Sequence, residues 1–196
     1  MAFLTDKCRL ISFPENLTTP ELFDCGHSDL NDFFARDCHK YTAELMGKTY
    51  CFVLDANPSV IVCAFSISND SIKTNYLPNK IKNKLNRKIP YTKRTRSYPA
   101  VLIGRLGVNK KYQDKNIGTE LMDFIKSWFI DKKNKTGCRY IVVDSYNEPK
   151  PIGYYSKNGF SFLFDKIEDE ISFFELPANT ILNTRLMIFD LILLRE

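Results

Sequence analysis

The chain has 196 residues, of which 44% are hydrophobic and 26% charged, so it is long enough to bury a core and too apolar for a disordered chain. The same composition excludes collagen-like repeats and small disulfide scaffolds. The net charge of +5 conceals an asymmetry, because residues 71–113 hold twelve Lys or Arg and no acid, leaving 16 basic against 23 acidic side chains elsewhere. The twelve are Lys73, Lys80, Lys82, Lys84, Arg87, Lys88, Lys93, Arg94, Arg96, Arg105, Lys110 and Lys111. This basic segment predicts an anionic partner: a nucleic acid, a phosphorylated cofactor or an acidic surface.

Hydrophobic periodicity predicts strands and helices that alternate along the chain. In chain order these are a strand at 10–13, a helix at 28–45, strands at 49–54 and 60–68, a basic helix at 77–88, a strand at 99–108, a helix at 117–130, a strand at 139–144, a helix at 149–157, a strand from 159 and a last strand at 185–194. The acidic stretch 165–183 has no clear pattern. No linker or repeat divides the chain, so we predict one mixed α/β domain over residues 1–196.

The cysteines are widely spaced, and no Cys-x-x-Cys pair occurs. Structural zinc sites need ligand pairs close in sequence, so we predict no metal site. The first seven residues have no apolar core of a signal peptide, and no apolar run approaches the ~18 residues of a membrane span. We therefore expect a reduced, cytoplasmic protein without a membrane segment.

The stretch 105–119 reads as a strand, a polar loop and the first turn of a helix. Unpaired N–H groups and the dipole at a helix start attract anions, and Gly118 permits close approach to the backbone. Lys110, Lys111 and Lys115 add positive charge. A phosphate or pyrophosphate site and an ordinary strand–turn–helix connection are both compatible with this pattern.

A second stretch follows the apolar strand 139–144 and includes Asn147, Tyr154 and Tyr155. Ligands of open α/β sheets collect at strand ends, and a phenol there can donate a proton to a thiolate leaving group. Alternatively, the two tyrosines are amphipathic aromatics at the edge of the core.

Two of these stretches resemble motifs of the GNAT family of N-acetyltransferases. Gln113-Asp114-Lys115-Asn116-Ile117-Gly118 is similar to that family's Gln/Arg-x-x-Gly-x-Gly/Ala loop, and Tyr155-Ser156-Lys157-Asn158-Gly159-Phe160 to its later Tyr-x-x-x-Gly-Phe element. Asn116 stands where the family usually has glycine, and Asn tolerates the left-handed backbone conformation better than most residues. The resemblance implies a mostly antiparallel central sheet, flanked by helices and splayed at an acetyl-CoA cleft.

Within the family, the chain is most similar to the branch that contains tRNA-acetylating toxins of toxin–antitoxin pairs. The similarity lies in residues 23–33, Ser66-Ile67-Ser68 and Gly104-Arg105-Leu106-Gly107-Val108. It implies an amine acceptor such as aminoacyl-tRNA, and an antitoxin protein as partner. The aromatic pair Phe173-Phe174 indicates either an interface, as in a homodimer, or packing over the core.

The family resemblance also implies the site. Tyr155 matches the general acid that protonates the CoA thiolate, while the expected cofactor contacts are Leu106, Val108, Gln113, Asp114, Lys115, Asn116, Ile117, Gly118, Thr119 and Asn147. The strand 99–108 contains no Asp, Glu or His as a general base, which favours an α-amine with pKa near 8 over a lysine amine. For tRNA phosphates the candidates are Arg87, Lys88, Lys93, Arg94 and Arg96, with Tyr91 and Tyr98 available to stack on bases.

Three alternatives stay open. The first is a small-molecule or peptide N-acetyltransferase, and the second is a basic segment that is only a solvated surface. The third is a non-catalytic binding module of the same fold.

Overall fold

The computed structural model describes residues 2–14, 23–75, 77–86, 89 and 96–195. The chain forms two compact units, the first from Met1–Asn69 and Ile103–Asp131, the second from Asp70–Leu102 and Lys132–Glu196. Each unit thus combines two separate stretches of sequence. The single domain over residues 1–196 stays a prediction.

The described residues form helices, strands and short helical turns. The helices are α1 (Phe3–Lys7), α2 (Ser28–Asp32), α3 (Cys38–Ala43), α4 (Asn79–Asn86), α5 (Ile117–Ile130), α6 (Pro149–Lys157) and α7 (Ile167–Phe173). The strands are β1 (Cys8–Ser12), β2 (Lys48–Leu54), β3 (Ile61–Lys73), β4 (Ser97–Val108), β5 (Tyr140–Tyr146), β6 (Ser161–Phe162) and β7 (Thr184–Asp190). The strand order is β1-β2-β3-β4-β5-β7-β6 in one seven-stranded, mostly antiparallel sheet. The predicted mixed α/β class with helices around such a sheet is confirmed.

The first unit is built on an antiparallel meander. β1 pairs with β2 from Cys8 opposite Leu54 to Ser12 opposite Tyr50, and β2 pairs with β3. Helix α5 buries a stripe at three- and four-residue spacing, as an amphipathic helix does. The stripe consists of Ile117, Leu121, Met122 and Ile125.

The predicted helix 28–45 contains a π-helical turn. Helix α2 runs into this turn (Phe33–Asp37), in which the Cys38 N–H donates to the Phe33 carbonyl, and α3 follows. A π turn places one extra residue in the helix. It allows the neighbouring rings of Phe33 and Phe34 both to enter the core of the first unit.

The second unit packs α4 and α7 around β5 and β7. These two strands pair from Tyr140 opposite Asp190 to Tyr146 opposite Thr184. Core residues from α4, the first half of β4 and the segment after β6 surround them. They include Ile81, Leu85, Tyr98, Leu163 and Phe164.

One local prediction is wrong, and two features that the sequence left open are now assigned. The last strand ends at Asp190, not Leu194, because the Asp190 carboxylate accepts from the Ile192 N–H and starts a 3-10 turn (Leu191–Leu194). Helix α7 lies in the acidic stretch where no element was predicted. Of the aromatic pair, Phe173 packs on the core of the second unit and Phe174 is exposed.

All six cysteines are free thiols. Within the described ranges, no cluster of three or more His, Cys, Asp or Glu is arranged to hold a metal ion. None of the helices described has both the length and the apolar character needed to cross a membrane.

Candidate active site

The loop between β4 and α5 begins at a buried asparagine. The Asn109 N–H donates to the Val62 carbonyl at 2.9 Å, and its side-chain amide donates to Ile61 O at 3.1 Å. The Asn109 side-chain oxygen accepts from the Lys111 N–H. The start of the loop is thus fixed to β3.

Two non-glycine residues of this loop have left-handed backbone conformations. The φ angle is +58° at Asp114 and +63° at Asn116. Asn116 directly precedes α5, and its carbonyl accepts from the N–H groups of Thr119 and Glu120, both at 3.1 Å. Asn116 therefore adopts the left-handed conformation at the position where the family usually has glycine. Left-handed residues that alternate with other conformations turn neighbouring backbone N–H groups toward a common side.

The residues predicted to bind the cofactor at the start of α5 can offer it different groups. The Ile117 side chain is buried in the core, so this residue has only its backbone to offer a ligand. The Thr119 N–H is engaged within the helix, which leaves its hydroxyl for a ligand. The 14 residues of α5 give its N-terminus the partial positive charge of a helix dipole.

The lysines around the loop are less free than the sequence predicts. The Lys110 ammonium lies 2.8 Å from the Asp24 carboxylate, and hydrogen bonds from Lys110 and Asn31 lower the pKa of Asp24 to about 2. The Lys115 ammonium donates to the Lys111 carbonyl at 2.9 Å. The charge of Lys110 is thus matched by a carboxylate within the same unit.

Gln113 points its side chain at the protein. Its amide nitrogen donates to the carbonyls of Cys25, at 2.8 Å, and Val108, at 2.9 Å. Both N–H bonds of the amide are used in this way. Asp24 and Asn31, for which the sequence predicted no role, are bonded to each other beside Cys25. The glycine in Asp24-Cys25-Gly26 was a local sign of a turn here, and Gly26 is indeed left-handed, with its N–H donating to the Asp24 carboxylate.

The second unit contains Tyr155, near the end of α6. Its ring contacts Tyr154 and Phe160, with centroids 5.1 and 5.4 Å away. Burial, with a smaller contribution from the Asp144 carboxylate, raises the pKa of Tyr155 well above its usual value. The phenol is therefore protonated at neutral pH and has a proton to donate.

Asn147 follows β5 and closes onto the segment before β7. Its N–H donates to the Asn183 carbonyl at 2.9 Å, and its side-chain amide donates to the Leu182 carbonyl at 3.0 Å. These two bonds fix its backbone and side chain. The side-chain oxygen is the group that remains for a ligand.

Most of the predicted tRNA contacts lie outside the described residues: Arg87, Lys88, Lys93 and Arg94, together with Tyr91. Arg96 is exposed, and its carbonyl accepts from both the N–H and the hydroxyl of Thr74 at 3.0 Å. The expectation for Tyr98 is wrong, because its ring is buried in the core and its hydroxyl is bound to the Asn86 side chain.

Two of the three lysines of α4 are also engaged. The Lys80 ammonium lies 2.7 Å from the Asp165 carboxylate, and Lys84 donates to the Phe162 carbonyl at 3.3 Å. The basic segment is therefore partly neutralised, and its positive field is weaker than its composition implies.

Residues 84–162 match the family model described as an acetyltransferase (GNAT) domain. This part of the chain is thus similar to an acetyltransferase domain of the GNAT family. The matched range includes both the loop before α5 and Tyr155, the two places that carried the resemblance. The predicted class of enzyme, an N-acetyltransferase with acetyl-CoA as its cofactor, is confirmed with it.

Solved structures share the fold of this chain at low sequence identity. A tyrosine-to-phenylalanine variant of KacT is 17% identical, with a TM-score of 0.67 over 97% of this chain and 98% of that one. AtaT complexed with acetyl-methionyl-tRNAfMet is 16% identical, with a TM-score of 0.66 over 96% and 97%. AtaTR bound with AcCoA is 20% identical, with a TM-score of 0.64 over 97% and 99%.

Proposed function

We propose that the chain transfers the acetyl group of acetyl-CoA to the α-amine of an aminoacyl-tRNA. The observation that carries this choice of acceptor is the composition of β4, which has no Asp, Glu or His between Ser97 and Val108. A lysine amine with pKa near 10 needs a base to lose its proton, whereas an α-amine with pKa near 8 is already partly neutral at pH 7. The strand that the family resemblance places at the acetyl-CoA cleft supplies no such base.

Cofactor binding is assigned to the backbone more than to charged side chains. We assign the pantetheine arm to Leu106 and Val108, and the pyrophosphate to residues 113–119. The left-handed Asp114 and Asn116 and the start of α5 form a donor set that suits an anion. Lys110 contributes less than its charge implies, because Asp24 already holds it.

Tyr155 is assigned to the leaving group. In the reaction, the amine nitrogen forms a bond to the thioester carbonyl carbon, the carbon–sulfur bond breaks, and the amine releases its extra proton to water. The Tyr155 phenol donates to the departing sulfur. Because burial raises its pKa above that of a thiol, a hydrogen bond that stabilises the sulfur is favoured over complete transfer of the proton.

The basic segment supports a nucleic-acid acceptor. Arg96 is exposed and its backbone is held by Thr74, so its position is defined while its guanidinium is accessible. The solved structure of AtaT with acetyl-methionyl-tRNAfMet has the same fold and contains an acetylated aminoacyl-tRNA, which is the kind of product that this transfer would form. An antitoxin as partner, and a homodimer, belong to the same proposal.

Labelled acetyl-CoA tests the acceptor directly. We expect label on aminoacyl-tRNA, in a form that mild alkali releases together with the amino acid, and little on deacylated tRNA, free lysine, a polyamine or a lysine-containing peptide. Transfer should increase with pH up to about pH 9, because an α-amine with pKa near 8 is half neutral at pH 8 and mostly neutral about one unit higher. Equal rates on free lysine or polyamine would make the chain a small-molecule acetyltransferase instead.

Two further measurements separate the remaining alternatives. Millimolar acetyl-CoA should raise the unfolding temperature, and no shift together with no transfer would indicate a non-catalytic module. Binding of tRNA should weaken with salt, and Arg96→Gln should reduce the slope of log K against log[salt] by about one. Arg36→Gln, an exposed arginine of the first unit, is the matched control.

A further inference from the structure

We propose that Gln113 and Asp24 are positioning residues that hold the pyrophosphate loop in its binding conformation by tying it to residues 23–31. The inference rests on the assignment of residues 113–119 to the cofactor pyrophosphate. It gives Gln113 a different role from the direct cofactor contact that the motif implies. It also gives Asp24 a role in cofactor binding, although its carboxylate has the wrong charge for a phosphate ligand.

Gln113 connects three parts of the first unit. It lies in the loop, and its side-chain amide reaches the last carbonyl of β4, at Val108, and the carbonyl of Cys25. Since an amide nitrogen has two N–H bonds, both are used by these acceptors and none is left for a phosphate. Gln113 therefore acts on the cofactor through the backbone that it holds.

Asp24 makes a second connection beside the first. Its Oδ2 lies 2.8 Å from the Lys110 ammonium, and its backbone carbonyl accepts from the Lys110 N–H at 2.8 Å. Its Oδ1 accepts from the Gly26 N–H and the Asn31 side-chain amide, both at 2.7 Å. One residue thus binds both its own turn and the start of the pyrophosphate loop.

The turn that receives these bonds is itself well defined. The Asn31 side-chain oxygen accepts from the Cys25 N–H at 2.9 Å and lies 3.1 Å from the Cys25 sulfur. Cys25 packs directly on the end of β4, where a β-carbon at Gly107 would lie 3.1 Å from the Cys25 β-carbon. The Cys25 carbonyl is therefore a fixed acceptor for Gln113.

The loop needs such support because its backbone is strained. Left-handed conformations at two non-glycine residues, Asp114 and Asn116, persist only where the surroundings over-determine them. Asn109 fixes one side of the loop to β3, and α5 fixes the other. Gln113 lies between these anchors and stabilises the middle of the loop.

The first experiment compares two acetyl donors. Gln113→Met keeps the length of the side chain but removes both donors, so we expect the KM for acetyl-CoA and the Kd for CoA to rise about tenfold, with kcat nearly unchanged. S-acetylpantetheine lacks the pyrophosphate, so its kcat/KM should fall far less than that of acetyl-CoA, although Gln113 also binds the carbonyl of Val108 at the pantetheine arm. Gln113→Arg restores N–H donors and should recover most of the affinity for CoA.

The second experiment tests Asp24 against a matched aspartate. Asp24→Asn should weaken CoA binding several-fold even though it releases the Lys110 ammonium, and tighter binding would overturn this role of Asp24. Asp55→Asn, which removes the carboxylate paired with Arg9 in the same unit, should leave CoA binding unchanged. A parallel loss with both donors, or an unchanged Kd for CoA in Gln113→Met, would overturn the proposal. CoA binding is measured by calorimetry without an acceptor, so a wild type that binds CoA but acetylates no aminoacyl-tRNA would refute the proposed acceptor alone.

Discussion

Glu170 of α7 and Arg185 of β7 form a buried ion pair in the second unit, with 2.6 Å between Oε2 and Nε and side chains only 1% and 8% exposed. The other carboxylate oxygen accepts from the Leu186 N–H, and the guanidinium also donates to the Phe164 carbonyl. Each charge therefore has partners on more than one side. Removal of either residue leaves a buried charge without its counterion.

We expect Glu170→Ala to lower the free energy of unfolding by about 3–5 kcal/mol, measured by urea denaturation. Asp165→Ala is the matched control, because it breaks the exposed pair with Lys80 and should change stability little. Equal losses in the two variants would contradict the importance of burial at Glu170.

Tyr155→Phe should lower kcat about 100-fold or more and leave CoA affinity nearly unchanged, because only the group that stabilises the leaving sulfur is removed. Rates are measured with saturating acetyl-CoA, and affinity by calorimetry. Tyr154→Phe, which changes the adjacent ring in contact with Tyr155, should retain most of the activity. An unchanged kcat in Tyr155→Phe would remove this residue from the reaction.

Asn116→Gly should bind CoA at least as tightly as the wild type, since glycine adopts φ near +63° without strain. Asn116→Ala should lower the free energy of unfolding by about 1–2 kcal/mol relative to the glycine variant, and weaken CoA binding with it. The two substitutions differ by one methyl group, so thermal unfolding with and without CoA isolates the backbone effect. A glycine variant that binds CoA more weakly than the alanine variant would show that the Asn116 side chain itself contacts the ligand.

Alkaline pH should destabilise the chain through its buried thiols. Burial raises the pKa of Cys51 to about 12 and that of Cys38 to about 11, from a usual value of 9.0. The stabilisation from keeping these thiols protonated is complete below pH 9 and is lost as pH rises from 9 through the folded values. Each thiol adds a slope of up to about 1.4 kcal/mol per pH unit in that window.

Urea unfolding between pH 7.5 and 10.5 measures this dependence. Cys51→Ala leaves a small cavity at every pH, but it should also make the loss above pH 9 less steep. Cys138→Ala, which removes a half-buried thiol of the second unit, is a comparison at a different site. An identical slope in wild type and Cys51→Ala would assign the alkaline loss to other groups.

The helices next to the motifs were predictable because local signals define both of their ends. The bounds of α5 and α6 agree with the predicted 117–130 and 149–157. In α6, Pro149 begins the helix and Gly159, at φ +80°, follows its end. Proline starts a helix and glycine follows its end in almost any surroundings, so these helix ends can be predicted without knowledge of tertiary contacts.

Other features depend on contacts between distant residues and carry no local sign. The acidic α7 buries Glu170 only because Arg185, 15 residues later, supplies the counterion. Tyr98 lies in a basic, polar stretch, yet Asn86 satisfies its hydroxyl inside the core. Gln113 matches a motif residue by type, but the acceptor that orients it, Cys25, lies 88 positions away.

The π turn after α2 makes the length of this helix critical as well as its composition. A one-residue deletion between Phe33 and Asp37 would restore a regular α-helix and rotate everything after it by about 100°. Cys38, now only 1% exposed, would leave the core, and the exposed face of α3 with Tyr41 would turn toward it. Homologues should therefore tolerate substitution within this segment far better than any change in its number of residues.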